Sequence, residues 1–288
     1  MSSRVLPDFE LLMPGDLKEG LRLLSEHGSK IAVMAGGTDV LVMMKGDYRH
    51  PYIMSLTAVG ALDHLDWAPE TGLKLGALVT VDQVEQSAIV KRYYPALWQA
   101  AKVFATPQIR NTATVVGNLL RASPAGDCSC AILALGGTVV LESAKGRREV
   151  AIDDFWLAYN VTARQSDEIA IELRLPPPEN ATFSAFRRLT RTHEDLAKLN
   201  ASARLDMDGK ICRSARLAMG CVGPTTRRLP KTEALLAGKT IDEALLNAVQ
   251  ASVLTEIDPI DDKRSTAEYR RAVAGVLMKR TIIQALAA

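Results

Sequence analysis

Phe104-Ala105-Thr106-Pro107-Gln108-Ile109-Arg110-Asn111-Thr112-Ala113-Thr114-Val115-Val116-Gly117-Asn118 is rich in small polar residues and poor in charge. It is too long and too polar for an ordinary buried strand. Leu119-Leu120-Arg121-Ala122-Ser123-Pro124-Ala125-Gly126-Asp127 follows directly. Thr114, Gly117 and Asn118 offer donors to one face of a pyrophosphate. Phe104 offers a plate for a heteroaromatic ring, and Asp127 an acceptor for ribose hydroxyls. Working outward, a second donor-rich turn lies upstream. Lys30-Ile31-Ala32-Val33-Met34 suits a buried strand, and it runs into Ala35-Gly36-Gly37-Thr38-Asp39. Two glycines permit positive φ, so consecutive amides can turn inward as an anion nest. Thr38 adds a hydroxyl, and Asp39 an acceptor that braces the loop. Alone, this turn is equally compatible with having no ligand. Two such loops converging from distant sequence suit a dinucleotide held without a Rossmann fingerprint.

The surrounding chain reads as α+β. Asp16 to His27 is a short helix with Leu17, Leu21 and Leu24 on one face and Gly28 as its stop. A second apolar stretch, Val40 to Met44, follows the first loop. Leu73 to Ala77 is a strand, and Thr80-Val81-Asp82-Gln83 fits a capping box. Leu175-Pro176-Pro177-Pro178 loses three amide donors and must leave regular structure. The domain boundary is placed there, dividing the chain into 1–176 and 179–288. Beyond it, alternation from Ala201 to Met207, the turn Asp208-Gly209 and alternation from Ile211 to Met219 predict a β-hairpin. Ser265-Thr266-Ala267-Glu268 is a second capping box. It opens a helix with Tyr269, Val273, Val276 and Leu277 on one side.

Several function classes have little support. The 288 residues carry 35 basic and 33 acidic side chains, a net charge of +2, which does not point to a polyanion partner. The arginine pairs 147–148, 187–188, 227–228 and 270–271 are scattered and read mostly as solvated surface. There is no phosphate loop, no G-x-S-x-G and no H-E-x-x-H. Cys128-Ser129-Cys130 lacks metal-site spacing, and the four histidines are far apart in sequence. The apolar run from Ala131 to Leu141 is too short to cross a bilayer. Residues 1–8 show no signal-peptide core. With four cysteines expected to be reduced thiols, a cytoplasmic location is expected.

These motifs resemble the FAD-binding subunit of molybdenum hydroxylases, the family of xanthine dehydrogenase and carbon monoxide dehydrogenase. The resemblance covers nearly the whole chain. The family's first FAD loop resembles Val33, Met34, Ala35, Gly36, Gly37, Thr38, Asp39 and Val40. Its second resembles Gln108-Ile109-Arg110-Asn111 through Thr114, Val115, Val116, Gly117 and Asn118. A Ser-Pro-x-x-Asp element matches Ser123 to Asp127. Phe183 to Arg188, with Glu194-Asp195-Leu196-Ala197-Lys198, resembles the segment flanking the isoalloxazine. Asp261-Asp262-Lys263-Arg264-Ser265 and Glu268-Tyr269-Arg270-Arg271 match a C-terminal signature.

The resemblance implies a two-part FAD-binding domain of the PCMH/vanillyl-alcohol-oxidase type. A small C-terminal α+β domain of the CO dehydrogenase flavoprotein type, with an antiparallel sheet, follows it. Phe104 would stack on the adenine and Asp127 would contact the adenosine part. Arg187 would sit near the flavin, and Glu194 and Leu196 would border its ring. The partners implied are a large molybdopterin-binding subunit and a small [2Fe-2S] subunit, as a dimer of heterotrimers. The small subunit would pass electrons singly to FAD, and from there they would go to NAD⁺, a quinone or another acceptor. A stand-alone flavin reductase or oxidase on the same fold is the alternative. Three features depart from the pattern. Val116 replaces a glycine common in relatives and would restrict φ. Arg187 replaces a lysine. Cys128 and Cys130 stand where relatives more often have apolar residues or proline.

Overall fold

The computed structural model describes residues 6–287, and the expectation of no signal-peptide core in residues 1–8 lies mostly outside them. Strands Glu10–Leu12, Tyr52–Ser55 and Ile31–Met34 form a parallel sheet in that spatial order. Parallel neighbours need a crossover, and helix Leu17–His27 supplies one. Asp16 caps its start by accepting from the Glu19 amide, and Gly28 ends it at φ 54°. Leu21 and Leu24 are its buried face. Val40 to Met44 forms a short helix after the first loop.

A second sheet is antiparallel, in the order Leu65–Ala68, Gly72–Gly76, Ile169–Leu175, Thr138–Ser143, Gly146–Ala151. Its central strand reads Ile-Ala-Ile-Glu-Leu-Arg-Leu, with most positions buried. The expected capping box at Thr80 is present in both directions with Gln83. The polar stretch after Phe104 is two short helices, Pro107–Arg110 and Val115–Leu120, joined by a loop.

The prolines end strand Ile169–Leu175, and the next strand starts at Thr182. From there a third sheet runs Thr182–Leu189, Leu199–Asp208, Ile211–Gly220, Arg227–Arg228. The hairpin expected around Asp208-Gly209 is its centre, with Asp208 paired to Ile211. Helices Pro230–Leu236, Glu243–Val253 and Ala267–Leu286 belong to the same region.

Two expectations for the last helix need correction. Its cap is Thr266, one residue later than the box at Ser265. Its buried stripe is Arg270, Ala274, Leu277, Met278, Thr281, Ile282 and Ala285, while Tyr269 is exposed. A buried arginine shifts the phase that apolar periodicity alone assigns.

Helix Asp127–Leu135 is buried at all nine positions and is the pin of the molecule. It lies between helix Pro95–Val103 and strands Leu199–Asp208 and Ile211–Gly220. Cys128 and Cys130 therefore act as small core residues, and Cys130 donates to the Ala218 carbonyl at 3.5 Å. All four cysteines are free and buried. Further bonds join the two halves: Ala96 N donates to Ser184 Oγ at 3.2 Å, and Phe186 N to Gln99 Oε1 at 2.8 Å. No helix among the described residues is long and apolar enough to cross a membrane.

Candidate functional site

Gly36 shows how the two loops meet. A Cβ built there would overlap the backbone carbonyl oxygen of Thr112, so only glycine lets the chains pass. Gly37 takes φ 71°. Among the described residues, no carbonyl accepts from the amides of Gly36, Gly37, Thr38 or Asp39. Four amides left to donate to a ligand are what an anion nest requires. From the opposite side, Thr114 Oγ1 caps helix Val115–Leu120 by accepting from Gly117 N at 3.0 Å. Asn118 Oδ1 accepts from Ser129 N and Ser129 Oγ, both at 3.3 Å, which leaves its NH₂ group available.

The restriction of φ expected at Val116 meets a backbone that needs no glycine. Residues 115–120 are helical, and neither Val116 nor Gly117 has a positive φ. Helical backbone accepts a β-branched residue at small cost. The left-handed residues lie at the ends of this segment instead, at Ala105 (φ 39°) and Ala122 (φ 49°).

Between the loops lies a cleft of two adjoining cavities, of about 450 and 530 Å³, each within the range of ligand sites. Asp39, Phe104, Asn118 and Arg121 line both and mark the waist. The first cavity also takes in Val33, Ala35 to Thr38, Val40, Thr114, Val116 and Gly117. The second takes in Ser123, Asp127, Glu194 and Leu196. The cleft thus joins residues from both loops, the Ser-Pro-x-x-Asp turn and the far side of the proline boundary.

Four of the expected residues line neither cavity. Met34 alternates away from Val33 and packs in a small separate core with Ala32 and Ile53. Ile109 is exposed on its short helix. Val115 is fully buried and ties its amide to the Val79 carbonyl. Arg187 donates to Gln284 Oε1 at 2.7 Å, toward the last helix. Successive residues of a strand face opposite ways, so Arg188 takes the cavity side.

Arg188 is an exception to the reading of the arginine pairs as mostly solvated. Its side chain is 7% exposed and Asp127's is 6%. Arg188 Nη1 donates to Asp127 Oδ2 at 2.8 Å, and Asn200 Nδ2 to Asp127 Oδ1 at 3.0 Å. Burial pushes the Asp127 carboxyl above its ordinary value, and Arg188 and Asn200 pull it back only in part. The other Arg188 nitrogen holds the His193 carbonyl, fixing the segment that carries Glu194 and Leu196. Asp127 and that segment line the same cavity. Each Asp127 oxygen accepts one of these bonds and keeps a second lone pair.

Sequence reading missed other lining residues. Arg121 Nε lies 3.4 Å from Asp39 Oδ1 and Arg121 also donates to Asn160, bracing the waist with a cation. Its only sequence signal was its place beside the polar segment. Tyr48 and Arg164 line the first cavity. Burial raises the Tyr48 hydroxyl above its ordinary value and lowers the Arg164 guanidinium below its own. Tyr159, Ile260, Arg264 and Arg270 line the second. Among the described residues, no three His, Cys, Asp or Glu side chains converge as metal ligands.

A long, two-lobed cleft with free amides beside its waist fits a nucleotide cofactor with a diphosphate at its middle. Comparison with known proteins agrees. Residues 7–178 match the family described as FAD binding domain in molybdopterin dehydrogenase. Residues 184–285 match the CO dehydrogenase flavoprotein C-terminal domain. The chain is 30% identical to the carbon monoxide dehydrogenase medium chain of Hydrogenophaga pseudoflava, over 96% of each chain. It is 29% identical to the xanthine dehydrogenase FAD-binding subunit of Escherichia coli O157:H7, over 94% of each. A solved structure of the Hydrogenophaga enzyme, lacking the Mo-pyranopterin moiety of its molybdenum cofactor, superposes with a TM-score of 0.94. That match covers 98% of this chain and 99% of the other.

Proposed function

This chain belongs to the family of FAD binding domains in molybdopterin dehydrogenases, and from that membership we propose that it carries electrons between partner [2Fe-2S] clusters and an external acceptor such as NAD⁺ or a quinone. It is a flavoprotein subunit of an oxidoreductase, and its cofactor is FAD. In this reading the chain divides into 1–176, which holds most of the FAD, and 179–288, which closes the flavin end. The partners are a large molybdopterin-binding subunit and a small [2Fe-2S] subunit, assembled in the cytoplasm as a dimer of heterotrimers.

The observation that carries the reading is the close crossing of Gly36 and Thr112, which brings two remote donor-rich loops to one cleft. The diphosphate would lie against the free amides of residues 36–39, with the Asn118 NH₂ and Arg121 opposite. Arg121 supplies the positive charge that the loops lack. The adenosine part would occupy the first cavity, beside Tyr48 and Arg164. The isoalloxazine would occupy the second, against Leu196 and the Arg188–Asp127 pair. Phe104, at the waist, would pack on the ligand from the side. FAD, when bound, takes electrons singly and releases them in pairs, the exchange such a complex requires. The protein's part is to orient the ring, shield it from water and fix the charges around it.

Purified chain is expected to show flavin absorbance and to release FAD when denatured. It should co-purify from its native host with one larger and one smaller partner. A colourless protein whose melting temperature is indifferent to added FAD would overturn the proposal.

A further inference from the structure

We propose that Arg270 is a positioning residue for the flavin end of the cleft: a buried guanidinium that ties two cavity rims together and lends that wall a positive charge. The inference rests on the reading above, that the second cavity receives the isoalloxazine.

Arg270 lies in the first turns of helix Ala267–Leu286 and is 2% exposed, the largest fully buried side chain among the described residues. A buried arginine must spend its donors or be costly. Nε donates to the Lys198 carbonyl at 3.0 Å. Nη1 donates to the Ile260 carbonyl at 2.6 Å. Lys198 ends the segment that carries Glu194 and Leu196, while Ile260 belongs to the segment from Asp258 to Arg264. Both segments line the second cavity. One planar group thus fixes the spacing of two loops that have no sheet pairing to each other. A second contact holds the Lys198 end against the same helix, because Lys198 Nζ lies 5.3 Å from the Tyr269 ring centroid.

The third nitrogen is different. Nη2 lies 2.8 Å from Asp262 Oδ1, yet it is buried without a hydrogen bond of acceptable geometry. Asp262 Oδ1 already accepts from the amides of Arg264 and Ser265, at 2.8 and 3.1 Å. The pair is therefore an ion pair by distance with donor capacity left over, and Arg270 is part of the cavity wall. A buried positive charge in the wall favours the electron-rich form of a neighbouring ring, and its counter-ion opposes that.

Those two charges give a test with opposite signs. In flavin-loaded protein, Arg270→Met is expected to shift the two-electron midpoint potential negative. The shift is at least tenfold in the equilibrium with a reference dye, about 30 mV. Asp262→Asn is expected to shift it positive. Arg270→Lys keeps the charge and loses the fork. It should stay near the wild-type potential while still speeding limited proteolysis within residues 190–198 and 258–265, as Arg270→Met should. Should Arg270→Met fail to fold, Asp262→Asn and Arg270→Lys still decide. Shifts of the same sign in Arg270→Met and Asp262→Asn, or no shift, overturn the charge role. Wild-type cleavage rates in both arginine variants overturn the tie. Wild-type protein that takes up no FAD is a separate result: it sinks the functional reading, while the proteolysis still tests the tie.

Discussion

The two cavities of the cleft are walled by different means. The first is closed mainly by backbone: a glycine turn, a capped helix and a carbonyl passing where a Cβ would sit. The second is closed by side chains from distant segments, with Arg188 and Arg270 as its ties. A backbone wall tolerates little change at its glycines and much change elsewhere. A wall made of buried ion pairs fails when either partner goes, because the remaining charge is stranded.

That contrast predicts its own hierarchy of damage. Arg188→Met leaves the Asp127 carboxylate buried with only Asn200 beside it. A loss of about 3–5 kcal/mol in chemical denaturation is expected, and a loss under about 1 kcal/mol would put the pair at the surface in solution. Gly36→Ala forces the two loops apart. FAD affinity should drop at least tenfold, roughly 1.4 kcal/mol, in a fluorescence titration. An alanine variant that binds FAD as wild type does would break the claim that the loops must touch. Thr114→Ala removes one cap from the first wall and should cost about 1 kcal/mol, read as a lower melting temperature with FAD still retained.

Smaller effects sharpen the picture. Asp153 joins the halves through Arg216 at 2.8 Å and Arg228 at 3.0 Å. Burial raises its carboxyl, but those two arginines outweigh burial and hold it below the ordinary value. A depressed acid contributes stability above its unfolded value, and loses it as pH falls through the folded one. Stability should therefore fall on acidification below about pH 4, and Asp153→Asn should flatten that limb. An unchanged acid limb in the variant would exclude Asp153 as a contributor. Last, Arg187→Met should change stability by no more than about 0.5 kcal/mol and leave FAD content alone. Loss of flavin there would mean that Arg187, not Arg188, faces the cofactor.

The same contrast decides what could be read from the sequence. Backbone walls are written locally: Gly36-Gly37 after a strand, Thr114 before Val115, Asp208-Gly209 between alternating runs. The helix at Asp16, the box at Thr80 and the break at Pro176 were legible for the same reason, since each depends on neighbours within a few residues. Side-chain walls depend on partners far away. Arg188 answers to Asp127 and Asn200, and Arg270 to Lys198 and Ile260. Nothing within either arginine pair tells which member turns inward. The strand face decides for 187 and 188, and the helix phase for 270 and 271. Cys128-Ser129-Cys130 was opaque on similar grounds: its small residues let helix Asp127–Leu135 lie buried between a helix and a sheet from the other half.

The central claim is that amides from two remote turns close on the diphosphate of one FAD. A crystal structure of the chain grown with excess FAD tests it most directly. The account predicts the diphosphate between the amides of residues 36–39 and the Asn118–Arg121 side, with the flavin ring in the cavity walled by Arg188 and Arg270. Turns that face apart, or a flavin bound elsewhere on the chain, would contradict it.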